Sequence, residues 1–216
     1  MSSSLPSHIQ ETFQGKKILI TGASGYLSTN LIHSLKDINC TVIRLSRKGI
    51  LPSLEGKANI IDHQGDVGCV ETWKHVLEGI DIVYHLAGQT SVYVANEKPL
   101  ADMDINVKSM LLLLETCRTK GISPAIIFSA TSTEMGIPTT LPVNESCADQ
   151  PITFYDLHKL MAENYLMFYC RLGHVQGTSL RLTNVYGPGP LSSNDDRGVL
   201  NKIMRNALTG KSLTIY

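Results

Sequence analysis

ITGASGYLSTNL, residues 20–31, is the stretch on which the rest of the chain is read. The apolar run KKILIT, residues 16–21, reads as a strand that stops at Gly22. Gly25 follows three residues later, and an amphipathic stretch opens behind it. Strand, glycine turn and helix in that order make a phosphate cradle. Gly22 permits the tight turn, and Gly25 lets the backbone approach a pyrophosphate. The free N–H groups and dipole of the helix N-terminus favour the negative charge. Ser28 stands where the usual spacing has a third glycine, whose role is close helix–sheet packing. A serine adds only a hydroxymethyl group, so binding is expected to survive it. The bland alternative is an ordinary glycine turn, and the flanking strand and helix favour the cradle.

Outward from this loop, apolar runs alternate with helical patterns. Strands are expected at TVIRLS (41–46), within ANIIDHQGD (58–66), at IDIVYHLAG (80–88), PAIIFSA (124–130) and VQGTSLRLTN (175–184). Helices are expected from about 25 to 37, around CVETWKHVL, from 100 to 120 ending at Gly121, and from about 153 to 172 ending at Gly173. Nearly continuous apolar strands in βαβ alternation imply a parallel sheet covered on both faces. The expected fold is a doubly wound α/β domain with strand order 3-2-1-4-5-6. Residues 1–15 read as a polar arm and 16–183 as the dinucleotide-binding domain. Residues 184–216 read as the start of a substrate-binding region. That region ends on the strand-like run SLTIY and is expected to be incomplete.

Composition narrows the function. The 216 residues are 43% hydrophobic, enough for one well-buried core. Nineteen Lys+Arg balance nineteen Asp+Glu, which argues against a nucleic-acid or membrane-surface partner. No apolar run reaches membrane-spanning length, and the N-terminus lacks the apolar region of a secretory signal. The cysteines at 40, 69, 117, 147 and 170 are scattered, with no zinc spacing or disulfide framework. No metal is expected, and the cytoplasm is the compartment expected.

The end of the second strand, where a ribose-binding acid normally sits, reads Leu45-Ser46-Arg47-Lys48. Arg47 can pair with a 2′-phosphate, so NADP is favoured over NAD; a solvated basic turn is the alternative. In FYDLHKLMAENYL, Tyr155 and Lys159 lie four apart on one helix face. Bringing a tyrosine from a pKa near 10 toward neutrality requires about 4 kcal/mol. A neighbouring ammonium and a positive nicotinamide ring supply it by favouring phenolate. Thr131, at the C-terminal edge of the fifth strand, can hydrogen-bond the same substrate oxygen. A surface pair and ordinary loop chemistry are the respective alternatives.

Six motifs in order then point to one group. TGASGYLS, HLAGQTS, INVKSMLLLLETCR, FSATSTEMG, Y-D-L-H-K and RLTNVYGPGP resemble the extended short-chain dehydrogenase/reductases, specifically the NAD-dependent nucleotide-sugar epimerases and dehydratases. The resemblance runs from about Lys16 to Tyr216. It implies that Gly22, Gly25, Tyr26 and Leu27 lie under the pyrophosphate. It places Asp66 and Val67 at adenine, and Leu86, Ala87 and Gly88 at the cofactor ribose. Thr131, Tyr155 and Lys159 are implied as the catalytic set, with Tyr155 and Lys159 also touching the cofactor. Gln89, Thr131, Asn184 and Tyr186 are implied at the sugar nucleotide, and Asn106 matches a helix asparagine of the group. The 4,6-dehydratases carry Asp-Glu directly after the catalytic threonine. Here Ser132 and Thr133 follow, and Glu134 comes one place late, so a dehydratase is disfavoured. Met135 replaces a frequent tyrosine.

The expected function is an epimerase, with an NADPH-dependent ketoreductase of a nucleotide sugar as the runner-up. A non-sugar carbonyl reductase fits RLTNVYGPGP less well. A silent dinucleotide sensor usually lacks the tyrosine or lysine, and both are present. The apolar run Met110–Leu114 and the tyrosine helix suggest a homodimer through a four-helix contact.

Overall fold

The computed structural model describes residues 5–189 and 199–212. Six parallel strands form one sheet: β1 (Lys17–Thr21), β2 (Thr41–Ser46), β3 (Asn59–Gln64), β4 (Ile82–His85), β5 (Ala125–Thr131) and β6 (Gln176–Leu182). Their spatial order is β3-β2-β1-β4-β5-β6, the order expected. The chain reverses its direction of travel across the sheet between β1 and β4, which opens a crevice above their C-terminal ends.

Helices cover the two faces. On one lie α1 (Ser7–Phe13) and α2 (Tyr26–Leu35), whose Ile32 and Leu35 pack on Ile18, Ile20 and Val42. On the other lie α3 (Val70–Val76), α6 (Ser109–Lys120) and α7 (Phe154–Arg171), enclosing Trp73, Met110, Leu113, Leu114, Phe128 and Leu166. Short helices α4 (Val92–Glu97) and α5 (Pro99–Met103) lead into α6, and α8 (Val199–Leu208) follows the sheet.

Four details differ from the sequence reading. Part of the supposed polar arm is helix α1, which brings Leu5 and Phe13 against the core. Helix α4 has no counterpart among the expected helices; Ser91 caps it by accepting the Val94 N–H. The long helix expected at 100–120 contains a π turn at Asp104–Lys108. Such turns shift side-chain phase locally, and this one buries Asn106 and Val107. The outer strands β3 and β6 alternate or lie exposed, because among the described residues each pairs with one neighbour. The strand-like SLTIY falls mostly at 213–216, outside the described residues.

Candidate active site

The cradle is built from backbone. Gly22 sits at φ +63°, and a Cβ there would meet the Ala87 Cα at 2.9 Å and its N at 3.0 Å. Only glycine fits both the conformation and the approach. Gly25 is the N-cap residue of α2, and no side chain caps that helix. Its first-turn N–H groups at Tyr26 and Leu27 therefore suit a pyrophosphate. Ser28 is buried, and its hydroxyl donates to the Thr21 carbonyl at 3.2 Å. The serine thus fills the close-packing position with a bond back to β1.

Thr21 ties the crevice together. Its Oγ1 accepts the N–H groups of Leu86 and Ala87, both at 3.0 Å. With both lone pairs used, its hydrogen goes to His85 Nδ1, 3.0 Å away. His85 is therefore the Nε2–H tautomer, donating to Ser109 Oγ at 3.2 Å. Ser109 in turn gives its hydrogen to the Ile105 carbonyl at 2.5 Å. Burial, with a smaller push from Lys159, drives the His85 pKa down to about 3. It is a neutral structural link rather than an acid or base.

A cavity of about 350 Å³ opens above β1, β4 and β5. Leu27, Leu86, Gly88, Thr131, Tyr155, Lys159 and Asn184 line it, so the catalytic candidates and part of the cofactor segment meet there. Tyr155 and Lys159 come one turn apart from α7, which starts at a capping box of Thr153 and Asp156. Lys159 is buried, with Nζ 4.5 Å from the centre of the Phe128 ring. Burial lowers its pKa to about 8, opposed by Glu134 and Asp102. It keeps its charge at neutral pH and sets a positive potential beside Tyr155.

Thr131 ends β5. Its Oγ1 lies 2.9 Å from Thr133 Oγ1, and Thr133 donates to Asp156 Oδ1 at 2.5 Å. Since a carboxylate only accepts, Thr133 keeps just an acceptor for Thr131. The Thr131 hydrogen can turn between Thr133 and the cavity.

Other candidates lie elsewhere. Arg47 and Lys48 are exposed at the end of β2, while Ser46 is buried. Asp66 Oδ1 accepts the Gly68 N–H at 2.8 Å, and the Val67 carbonyl accepts Trp73 Nε1 at 2.8 Å. Gln89 does not line the cavity. Its amide donates to the Ser91 carbonyl at 2.8 Å and to Asp102 Oδ1 at 2.7 Å. Tyr186 is exposed and away from the cavity lining. The glycines beside it close over Tyr26 instead, since a Cβ at Gly189 would stand 2.6 Å from the Tyr26 ring. Asn30 fastens the same loop by donating to the Pro188 carbonyl at 3.0 Å.

One cluster escaped the sequence reading. Asp102, fully buried, also accepts His158 Nδ1 at 2.7 Å and Asn106 Nδ2 at 3.1 Å. Fifty-six residues separate Asp102 from His158, so local spacing carries no signal of the pair.

With this geometry in view, the comparisons are consistent. A model of the NAD dependent epimerase/dehydratase family matches residues 18–216. The chain belongs to that family. A putative UDP-glucose 4-epimerase of Methanocaldococcus jannaschii is 28% identical over 202 residues, 92% of this chain and 65% of the relative. UDP-glucuronate 4-epimerase 4 of Arabidopsis thaliana is 29% identical over 95% of this chain and 49% of its own. Among solved structures, the UDP-glucose 4-epimerase of Thermotoga maritima with UDP-glucose has a TM-score of 0.83. It is 28% identical, covering 93% of this chain and 65% of that one. The Thermus thermophilus UDP-glucose 4-epimerase with NAD has a TM-score of 0.78 at 25% identity, covering 93% and 65%. This family member thus spans about half to two-thirds of the length of these relatives. Among the described residues, no helix is long and apolar enough to cross a membrane.

Proposed function

We propose that this family member acts on a UDP-sugar as a 4-epimerase. The observation that supports it best is the convergence of Thr131, Tyr155 and Lys159 on one cavity beside the glycine cradle. The names of the relatives supply the sugar class. Gly22, Gly25, Tyr26, Leu27, Leu86, Ala87 and Gly88 are the residues that would hold the dinucleotide. Once bound, nicotinamide supplies the hydride acceptor and donor. Tyr155 as phenolate takes the proton from the sugar 4-hydroxyl and returns it. Thr131 holds the same oxygen, and Lys159 favours the phenolate by its charge. Asn184 contacts the sugar nucleotide from the cavity wall, and Gln89 braces the segment below it. Tyr186 would join through the outer loop, and Asp66 and Val67 border the adenine. The test is incubation with NAD and UDP-glucose or UDP-glucuronate, with chromatography of the sugar nucleotides. Appearance of the 4-epimer supports the reading, and an unchanged substrate overturns it.

The family and the Thermus thermophilus relative favour NAD as the cofactor. One observation favours NADPH and a ketoreductase: Arg47 and Lys48 stand exposed at the end of β2, with no carboxylate among residues 45–48. Fluorescence titration separates the two. The epimerase reading expects NADH to bind at least as tightly as NADPH, with Arg47→Glu leaving NADH affinity within about twofold, the range of a rim charge. NADPH binding that is tighter and lost in Arg47→Glu supports the reductase.

A homodimer and a cytoplasmic setting complete the proposal. Phe154, Leu157 and Phe168 of α7 and Leu172, its C-cap, are exposed at helical spacing, and Leu100 and Met103 are exposed on the neighbouring α5. A matching patch on a second copy would cover them. Sedimentation at tens of micromolar is expected to give a dimer, a range set by the modest area of such a contact (about 1,200–2,000 Å²). A monomer there overturns this part.

A further inference from the structure

The turn after Thr131 holds a carboxyl group that the proposed reaction does not use. Glu134 lies in the 3-10 turn Ser132–Met135 and is wholly buried. Its Oε1 accepts the Thr131 backbone N–H at 3.1 Å. Its Oε2 has no hydrogen-bond partner among the described residues. Arg181 Nε stands 3.3 Å from that oxygen, but its hydrogens point elsewhere. Nε bonds Glu163 at 3.2 Å, Nη2 bonds Glu163 at 2.6 Å, and Nη1 bonds Asp149 at 2.6 Å. Ser179 gives Glu163 a further bond at 2.6 Å. The charged groups acting on Glu134 are thus Arg181 of β6 and Glu163 and Lys159 of α7, while Asp149 of the preceding loop pairs with Arg181.

One guanidinium therefore meets three carboxyl groups, and its bonds go to two of them. An ionised oxygen left in the interior without a donor is strongly disfavoured; a protonated one leaves a neutral O–H, at a much smaller cost. We propose that Glu134 works as a neutral carboxylic acid and is a positioning residue for Thr131, with its proton on Oε2 and its Oε1 holding the Thr131 N–H. Burial raises its pKa to about 7 against the pull of the Thr131 N–H, with Glu163 raising it further and Arg181 and Lys159 lowering it. Ionisation puts a third negative charge against Arg181, beside Glu163 and Asp149, and strains the turn that carries Thr131. The catalytic meaning of that turn rests on the function proposed above; the proton on Glu134 does not.

The sign follows from linkage. The unfolded glutamate ionises near 4.5 and the folded one near 7. Between these values the folded chain holds one more proton, so the Glu134 contribution to stability falls as pH rises and is gone above about 7. Glu134→Gln is a permanently neutral isostere. Wild type and Glu134→Gln are expected to melt together near pH 5. At pH 8.5 Glu134→Gln should melt higher by about 5 °C or more. In the wild type, the 15N–1H signal of Thr131 should titrate near neutrality; in Glu134→Gln that step should vanish, leaving only the shift that Lys159 produces near 8. A Glu134→Gln variant that melts lower than wild type at pH 8.5 overturns the proposal, as does a wild-type Thr131 amide that is static from pH 5 to 9. Neither readout needs turnover, so a chain inactive on UDP-sugars fails the function and leaves this result standing.

Discussion

Tyr155→Phe is expected to lower 4-epimerisation of a UDP-hexose by about a thousandfold, within the usual range for losing a positioned acid/base. The ring stays, so the packing at the start of α7 is kept and only the phenolic oxygen goes. Dinucleotide affinity should hold within a few-fold, because the cradle is made by Gly22, Gly25 and the backbone after β4. Lys159 should also keep its place, since burial and the Phe128 ring fix it independently of Tyr155. The measurement is initial-rate product formation beside an NADH titration on the same preparation. Equal rates for Phe and Tyr would remove the tyrosine from the reaction. A joint loss of rate and cofactor would make its role structural.

Gly22→Ala has the largest expected effect on the fold. An alanine at φ +63° costs about 1–2 kcal/mol from conformation alone. Its methyl would stand 2.9 Å from the Ala87 Cα, which is backbone and cannot swing aside. Overpacking of that kind adds about 1–3 kcal/mol. Together these lower Tm by about 5–15 °C in a chain of this size. Moving Ala87 also moves the segment that reaches Gly88, so dinucleotide binding should be abolished before the protein unfolds. Thermal melting with and without NADH checks both parts. A normal Tm with retained binding would show that the turn has a second way to close.

Much of this arrangement was legible in the chain because its signals are local. Apolar runs at β1, β2, β4 and β5, glycines just past β1, and a capped helix bearing Tyr155 and Lys159 all lie within short windows. The strand order followed from the βαβ alternation. Other parts were illegible for a physical reason. Gln89 sits in a motif that suggests a ligand contact, yet Asp102, thirteen residues on, draws its amide inward. Asp102 and His158, or Glu134 and Arg181, become neighbours only when the sheet and α7 are assembled. Glu134 reads as an acid out of place for a dehydratase; its burial is a property of the fold. The difference at β3 and β6 is of the same kind, since which strands lie outermost decides how much water they meet.

The bonds at Thr21 also have a consequence in time. The N–H groups of Leu86 and Ala87 are held by a side chain of another strand, whose own hydrogen is held by buried His85. Opening the Ala87 amide to solvent means separating the ends of β1 and β4, the middle of the sheet, and the Leu86 N–H is held by the Tyr84 carbonyl as well, at 3.1 Å. Their exchange with deuterated water should therefore be as slow as that of the most protected core amides. A ligand arriving at this slot finds it already ordered. Little motional freedom remains there to be lost on binding, and more of the contact energy appears as affinity.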